Sequence, residues 1–182
     1  MIRNPVAKVR LYMKIPGWKL DGRGAIARWL EGELLREGRS GLIHLVLVDD
    51  EKIEALNEQY LGHTGPTDVI SFDLLGAEEK DVFPDRAFEA LVEDIPESEA
   101  FPTGEVYVSL VRALEQAREY GVPVTDEVSR LALHGMLHLA GWDDSREELR
   151  RKMSVREDEG LSRAKAGEKL LWELHGPHDG RQ

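Results

Sequence analysis

Two histidines four residues apart carry the strongest chemical signal in this chain. His134 and His138 lie in the run EVSRLALHGMLHLAGWDDSREE, Glu127 to Glu148. If that run is helical, the spacing stacks both imidazoles on one face, about one turn apart. Two ring nitrogens so placed can share one divalent ion at about 2.0–2.1 Å. Leu131, Ala132, Leu133, Met136, Leu137 and Leu139 make the helix apolar nearly all round. Imidazoles on such a buried helix need partners for their polar nitrogens, and a metal ion supplies them. Gly141 is suited to end the helix in a left-handed conformation and turn the chain back. Asp144, six residues beyond His138, is then in reach of a three-ligand face. Two histidines, one aspartate and a water make an open catalytic zinc site rather than a closed structural one. The expectation is one zinc ion per chain, on His134, His138 and Asp144. The bland alternative is a pair of surface or core histidines.

The same His-x-x-x-His-x-x-Gly-x-x-Asp spacing occurs in some zinc peptidases. Their chemistry needs a glutamate directly after the first histidine as general base. That position here is Gly135, which accepts no proton. Peptidase activity is therefore a minor alternative to other metal-assisted hydrolysis, and no general base is identified.

The elements that must position these residues follow from hydrophobic periodicity. Val6–Ile15 alternates as a half-buried strand does, and Ala25–Glu37 places Ile26, Trp29, Leu30 and Leu34 at helical spacing. Leu42–Val48 is almost continuously apolar, as a central strand is. Asp49 or Asp50 then caps a helix reaching about Tyr60. Thr67–Leu74 and Gly104–Leu110 read as the third and fourth strands. Three helices follow: Ser109 to Gly121, about Asp126 to Ala140, and about Arg146 to Leu174. The fold class is α+β, a single domain over residues 1–174. It has a small mixed four-stranded sheet packed with about five helices, and the metal site lies on a helix of the C-terminal half. Residues 75–103, rich in Asp and Glu, read as a solvated insertion or, alternatively, a mobile flap near the site. Residues 175–182 read as a disordered tail.

Composition bounds the function. The 182 residues are 41% hydrophobic and 32% charged, an ordinary globular balance. No apolar run approaches the roughly 18 residues of a membrane span, and the N-terminal stretch lacks a signal-peptide core. With no cysteine there is no disulfide framework and no thiolate metal site, so any metal sits on His and carboxylates. A cytoplasmic protein is expected. The formal charge of −11 argues against a broad basic nucleic-acid surface. A bound divalent cation adds local positive charge that this count omits.

Three ordered stretches then carry a resemblance. HGMLHLAGWDD, His134–Asp144, resembles the signature of the YbeY family of bacterial endoribonucleases, His-Gly-x-Leu-His-Leu-x-Gly-Tyr-Asp-His. LNEQYLGHTGPTDVISF, Leu56–Phe72, is similar to that family's Leu-Asn-x-x-aromatic stretch leading to Pro-Thr-Asp-Val-x-Ser-Phe. GEVYVSLVRALEQAREYG, Gly104–Gly121, is similar to its Gly-Asp-Ile-x-Ile-Ser segment and following helix. The resemblance implies a metal-dependent, single-strand-specific endoribonuclease acting in small-subunit (16S) rRNA 3′-end maturation and ribosome quality control. Its implied partners are single-stranded RNA, an rRNA precursor and the small ribosomal subunit, with no membrane.

Two positions depart from that family's pattern. Asp144 stands at the third histidine, and Leu61 stands at an arginine whose planar fork suits phosphate. An anionic ligand lowers the Lewis acidity of the ion, and loss of the arginine removes a phosphate partner. Arg130, Arg112 and Arg146 are the candidate substitutes. The Leu61 departure gives weight to a second reading, a ribosome-associated RNA-binding factor with the same fold and metal but weak nuclease activity. Thr67, Asp68, Ser71 and Trp142 are candidate residues of a substrate cleft. Their bland readings are a turn and strand cap for the first three and packing over the site for Trp142, which could otherwise stack on a base. His44 reads as structural, and Glu105 as either a strand-edge residue or a catalytic one.

Overall fold

The most apolar strands take the centre of the sheet, where both faces are covered. In this computed structural model, which describes residues 6–75, 102–166 and 172–177, these are β3 (Gly41–Val48) and β5 (Gly104–Ser109). They are buried along nearly their whole length. β1 (Ala7–Met13) pairs parallel with β3, and β3 pairs parallel with β5. β4 (Val69–Asp73) closes the sheet antiparallel to β5, giving the order β1-β3-β5-β4. Near-continuous apolar runs are what strands buried on both faces require.

Among the described residues five α-helices cover the sheet: α1 (Arg23–Arg36), α2 (Asp50–Leu56), α3 (Leu110–Tyr120), α4 (Val124–Leu139) and α5 (Glu147–Ala166). Asp49 caps α2 by accepting from the Lys52 N–H at 3.0 Å, and Ser109 caps α3 by accepting from the Arg112 N–H at 3.1 Å. After α2 the chain continues through one π-helical turn, Asn57–Leu61. Ile26, Leu30 and Leu34 of α1 and Leu131, Leu133 and Met136 of α4 share one core with Val9, Ile43, Leu45 and Val106. Truncating any one of these leucines to alanine costs about 2–5 kcal/mol. α2 covers the opposite face, with Ile53 and Leu56 packed among Val46, Val48, Ile70 and Tyr107. The expected single α+β domain with a mixed four-stranded sheet and five helices is what the structure contains.

One expectation is corrected at the C-terminal end. The last helix is described as far as Ala166, and it does not run to Leu174. Glu173–His175 instead forms β6, antiparallel to β2 (Lys19–Asp21), in a separate two-stranded sheet. His175, assigned by sequence to a disordered tail, belongs to this strand, and its Nε2 lies 3.2 Å from Asp21 Oδ2. Three-residue strands are too short to show a period of two, and buried Trp172 supplies the anchor beside them. The insertion read over 75–103 lies almost entirely outside the described residues, as do 178–182 of the tail. The two ends of that insertion are held together at the sheet rim. The Leu74 N–H donates to Thr103 O at 3.1 Å, and Arg39 Nη2 donates to both Thr103 O and Asp73 Oδ1 at 2.7 Å. Among the described residues no helix is long and apolar enough to cross a membrane.

Candidate metal centre

Between Glu127 and Leu139, every residue of α4 is buried except Arg130, His134 and His138. These three recur every four residues and so form the one open stripe of the helix. Side-chain exposure is 29% at Arg130, 20% at His134 and 31% at His138. The rest of α4 is sealed by the sheet beneath it and by α1 and α5.

The glycine between the histidines is what lets the helix sit so close to the sheet. A Cβ on Gly135 would lie 2.4 Å from Val106 Cγ1 and 2.9 Å from Ser71 Oγ. The Ser71 hydroxyl uses this proximity to donate to the Gly135 carbonyl at 3.1 Å. A glutamate at this position has no room, so the peptidase motif's own base cannot be accommodated here. After α4, Gly141 adopts φ +92°, and the chain doubles back as expected.

Each imidazole is oriented by a partner on its Nδ1. His134 Nδ1 is 2.8 Å from Glu157 Oε1 on α5, and His138 Nδ1 is 3.0 Å from the Trp142 carbonyl oxygen. Both partners accept, so each Nδ1 donates its hydrogen, and in the neutral rings this leaves both Nε2 atoms with lone pairs. Those two Nε2 atoms face each other at 3.0 Å. Lone pairs so close repel unless a cation stands with them. The Asp144 carboxylate completes the group, with Oδ2 3.9 Å from His134 Nε2 and Oδ1 3.8 Å from His138 Nε2. One ligand atom from each residue lies within 4.8 Å of the others. Ligands about 2.0–2.1 Å from a tetrahedral ion stand about 3.3–3.4 Å apart, so a few tenths of an ångström of side-chain adjustment suffices. Glu127, Glu157 and Asp144 also bring three carboxylates to a stripe with one guanidinium, Arg130. The donor set, its tautomers and its charge all fit a divalent cation.

The remaining sequence candidates fall into place unevenly. Asp143 turns away from the ligands: the Ser145 N–H and hydroxyl donate to it at 2.9 and 2.7 Å and hold its carboxyl below the usual range. Asp68 sits before β4, where it accepts from Gln116 Nε2 at 3.0 Å and from the Val69 N–H at 2.9 Å. Thr67 Oγ1 is 3.4 Å from Asp68 Oδ1. Ser71 of this trio hydrogen-bonds α4, and the Asp68 carboxylate acts on Arg130 of α4 through its charge. Trp142 touches the site through its carbonyl, while its indole N–H donates to Glu37 Oε2 at 2.8 Å and its ring packs on the core. His44 is buried as expected of a structural residue, and Glu105 is buried beside it on the sheet face opposite α4. That side is closed to the metal ligands.

Sequence reasoning did not single out Glu157, nor the buried ion-pair network next to it. Arg156 donates to Glu33 Oε2 at 2.7 Å and to Glu37 Oε1 at 2.6 Å, and Arg163 donates to Glu33 at 3.0 and 2.8 Å. These pairs are separated by more than 100 residues, and α5 is so rich in charge that no periodicity marks its buried members.

Fold and site together define a small α+β domain with a candidate open metal centre on one helix stripe. Comparison with known proteins narrows this. A profile of the family described as Endoribonuclease YbeY matches residues 23–165. A protein of Symbiobacterium thermophilum named Endoribonuclease YbeY is 38% identical over 131 residues, covering 69% of this chain and 76% of that protein. One of the same name from Pelotomaculum thermopropionicum is 36% identical over 160 residues, covering 79% and 92%. The solution structure of TM1509 from Thermotoga maritima aligns with a TM-score of 0.52 at 25% identity, over 87% of this chain and 92% of that one. The chain belongs to the YbeY family.

Proposed function

We propose that this protein is a zinc-dependent endoribonuclease that cleaves single-stranded RNA in the cytoplasm, in the 3′-end maturation of small-subunit rRNA. The observation that carries the reading is the convergence of His134 Nε2, His138 Nε2 and Asp144 on the open stripe of α4, in a chain whose curated relatives are named endoribonucleases. When bound, a divalent ion supplies Lewis acidity, polarising a phosphoryl oxygen and making water a stronger nucleophile. The protein holds the two imidazoles in one tautomer, sets the third ligand across from them, and keeps that side of the stripe open to a substrate.

The phosphate-binding cation differs from the family pattern. Leu61 is 48% exposed where an arginine is expected. Arg112 is bound to Asp50 and Glu115, and Arg130 to Glu127. Arg146, exposed two residues beyond Asp144, acts through its charge on the Asp143 carboxylate. These commitments also favour the second reading, a ribosome-associated RNA-binding factor with weak nuclease activity.

Elemental analysis of the purified protein, paired with cleavage of a labelled single-stranded RNA, separates the readings. The nuclease binds about one zinc per chain and cleaves, and H134A and H138A lose both properties. RNA bound without cleavage by the fully loaded protein supports the binding factor. Full zinc occupancy in the H134A/H138A double variant ends the site hypothesis.

A further inference from the structure

We propose that Glu157 is a positioning residue for the metal ligand His134, an assignment that rests on the metal reading above. α4 and α5 approach closely: a Cβ on Gly160 would lie 2.5 Å from Leu133 Cδ2. That approach, one turn along from Glu157, brings its carboxylate onto the inner edge of the His134 ring. Glu157 is 6% exposed and its Oε1 accepts from His134 Nδ1–H at 2.8 Å. Its other oxygen, Oε2, is 3.6 Å from Arg130 Nη1, and Arg130 Nε donates to both Glu127 oxygens at 3.1 Å. Glu127 is itself 2% exposed. The acceptor is thus fixed from behind by a guanidinium that is fixed in turn by a second buried carboxylate.

The consequence for His134 is a chosen tautomer and a chosen ring rotation. A free neutral imidazole prefers the proton on Nε2, the nitrogen that must be bare to bind a metal. A carboxylate on Nδ1 reverses that preference and aims the Nε2 lone pair at the site. The two histidines reach this state by different means. A backbone carbonyl holds His138, and no substitution of the Trp142 side chain removes it, whereas the holder of His134 is a side chain from another helix. One histidine is therefore set by local chain geometry and the other by tertiary packing.

E157L and E157Q test this, with zinc affinity measured by competition against a chromogenic chelator. The second readout is the His134 tautomer in the metal-free protein, from long-range ¹⁵N–¹H NMR. E157L should weaken zinc binding about 10–100-fold and shift His134 from Nδ1–H toward Nε2–H. E157Q, whose amide oxygen accepts the same hydrogen without the charge, should retain the tautomer and most of the affinity. That contrast separates orientation from charge, and a merely structural role moves no tautomer. Should E157L fail to fold, the parent decides alone: His134 found as Nε2–H in the metal-free parent overturns the assignment. So does a folded E157L with the parent's affinity and tautomer. A parent that binds no zinc overturns the metal reading and this assignment with it.

Discussion

Asp143 and Asp144 are neighbours whose carboxylates do different things. The first is consumed by the turn, accepting twice from Ser145, while the second faces both Nε2 atoms. D144A should therefore weaken zinc binding by at least about tenfold, whereas D143A should change it far less. D144H should keep the metal and, by dropping an anionic ligand, raise cleavage of single-stranded RNA at neutral pH. Chelator competition and a gel-based cleavage assay read these outcomes, and D144A holding zinc as tightly as the parent would place the third ligand elsewhere. His134, His138 and Asp144 were legible because helical spacing and a glycine-ended turn are local facts. Gly135 was legible as a missing base, but its steric purpose was not, since Val106 and Ser71 reach it only through the fold. Glu157 was not legible at all, lying 23 residues from the ring it orients.

Helices α1 and α5 meet through ion pairs and through the Trp29 indole N–H, which donates to the Gly160 carbonyl at 3.1 Å. Burial alone raises the Glu33 carboxyl, but hydrogen bonds from Arg163 and Arg156 outweigh it and hold the group below the usual glutamate range. A carboxyl lowered on folding contributes stability that is complete above its unfolded value and is lost as pH falls through its folded one. E33Q, which leaves Arg156 short of a buried partner, should destabilise the protein by about 3 kcal/mol near neutrality. The gap between parent and variant should close as the medium is acidified through the carboxylate range. Thermal unfolding across pH measures this, and a gap that stays constant into acid removes Glu33 as its source. At this scale the central strands and α1 to α4 were legible, because length and period leave little choice for them, while the choice between Asp49 and Asp50 as cap was made only by the structure. β2 and β6 were not, since three residues carry no period and their pairing spans most of the chain. Reading helix through Leu174 had a related cause: a charged helix shows no apolar stripe to say where it stops.

The whole molecule carries a formal charge of −11, which argues against general electrostatics as the source of its attraction to RNA. On single strands, log affinity falls with log salt by about 0.7 per phosphate neutralised, so a slope shallower than about −2 is expected here. Removing zinc with a chelator should cost more affinity than raising salt from about 50 to 200 mM. Fluorescence anisotropy of a labelled single-stranded RNA measures both, and a steep salt slope that survives chelation would reveal a basic surface that the net charge conceals. Charge and motif pointed in opposite directions in the sequence, and the family match sides with the motif; three candidate ligands within eleven residues make a site that needs little surface. The clamp at the sheet rim has a separate consequence. Arg39 and the Leu74–Thr103 bond hold the chain together on either side of residues 76–101, so the two ends stay side by side whatever length joins them. Closing a loop costs only about 0.6 kcal/mol more for each doubling of its length. A guest domain grafted between Leu75 and Pro102 therefore leaves β4 and β5 to pair as before. New chain ends opened there, for a circularly permuted protein, are already tethered side by side.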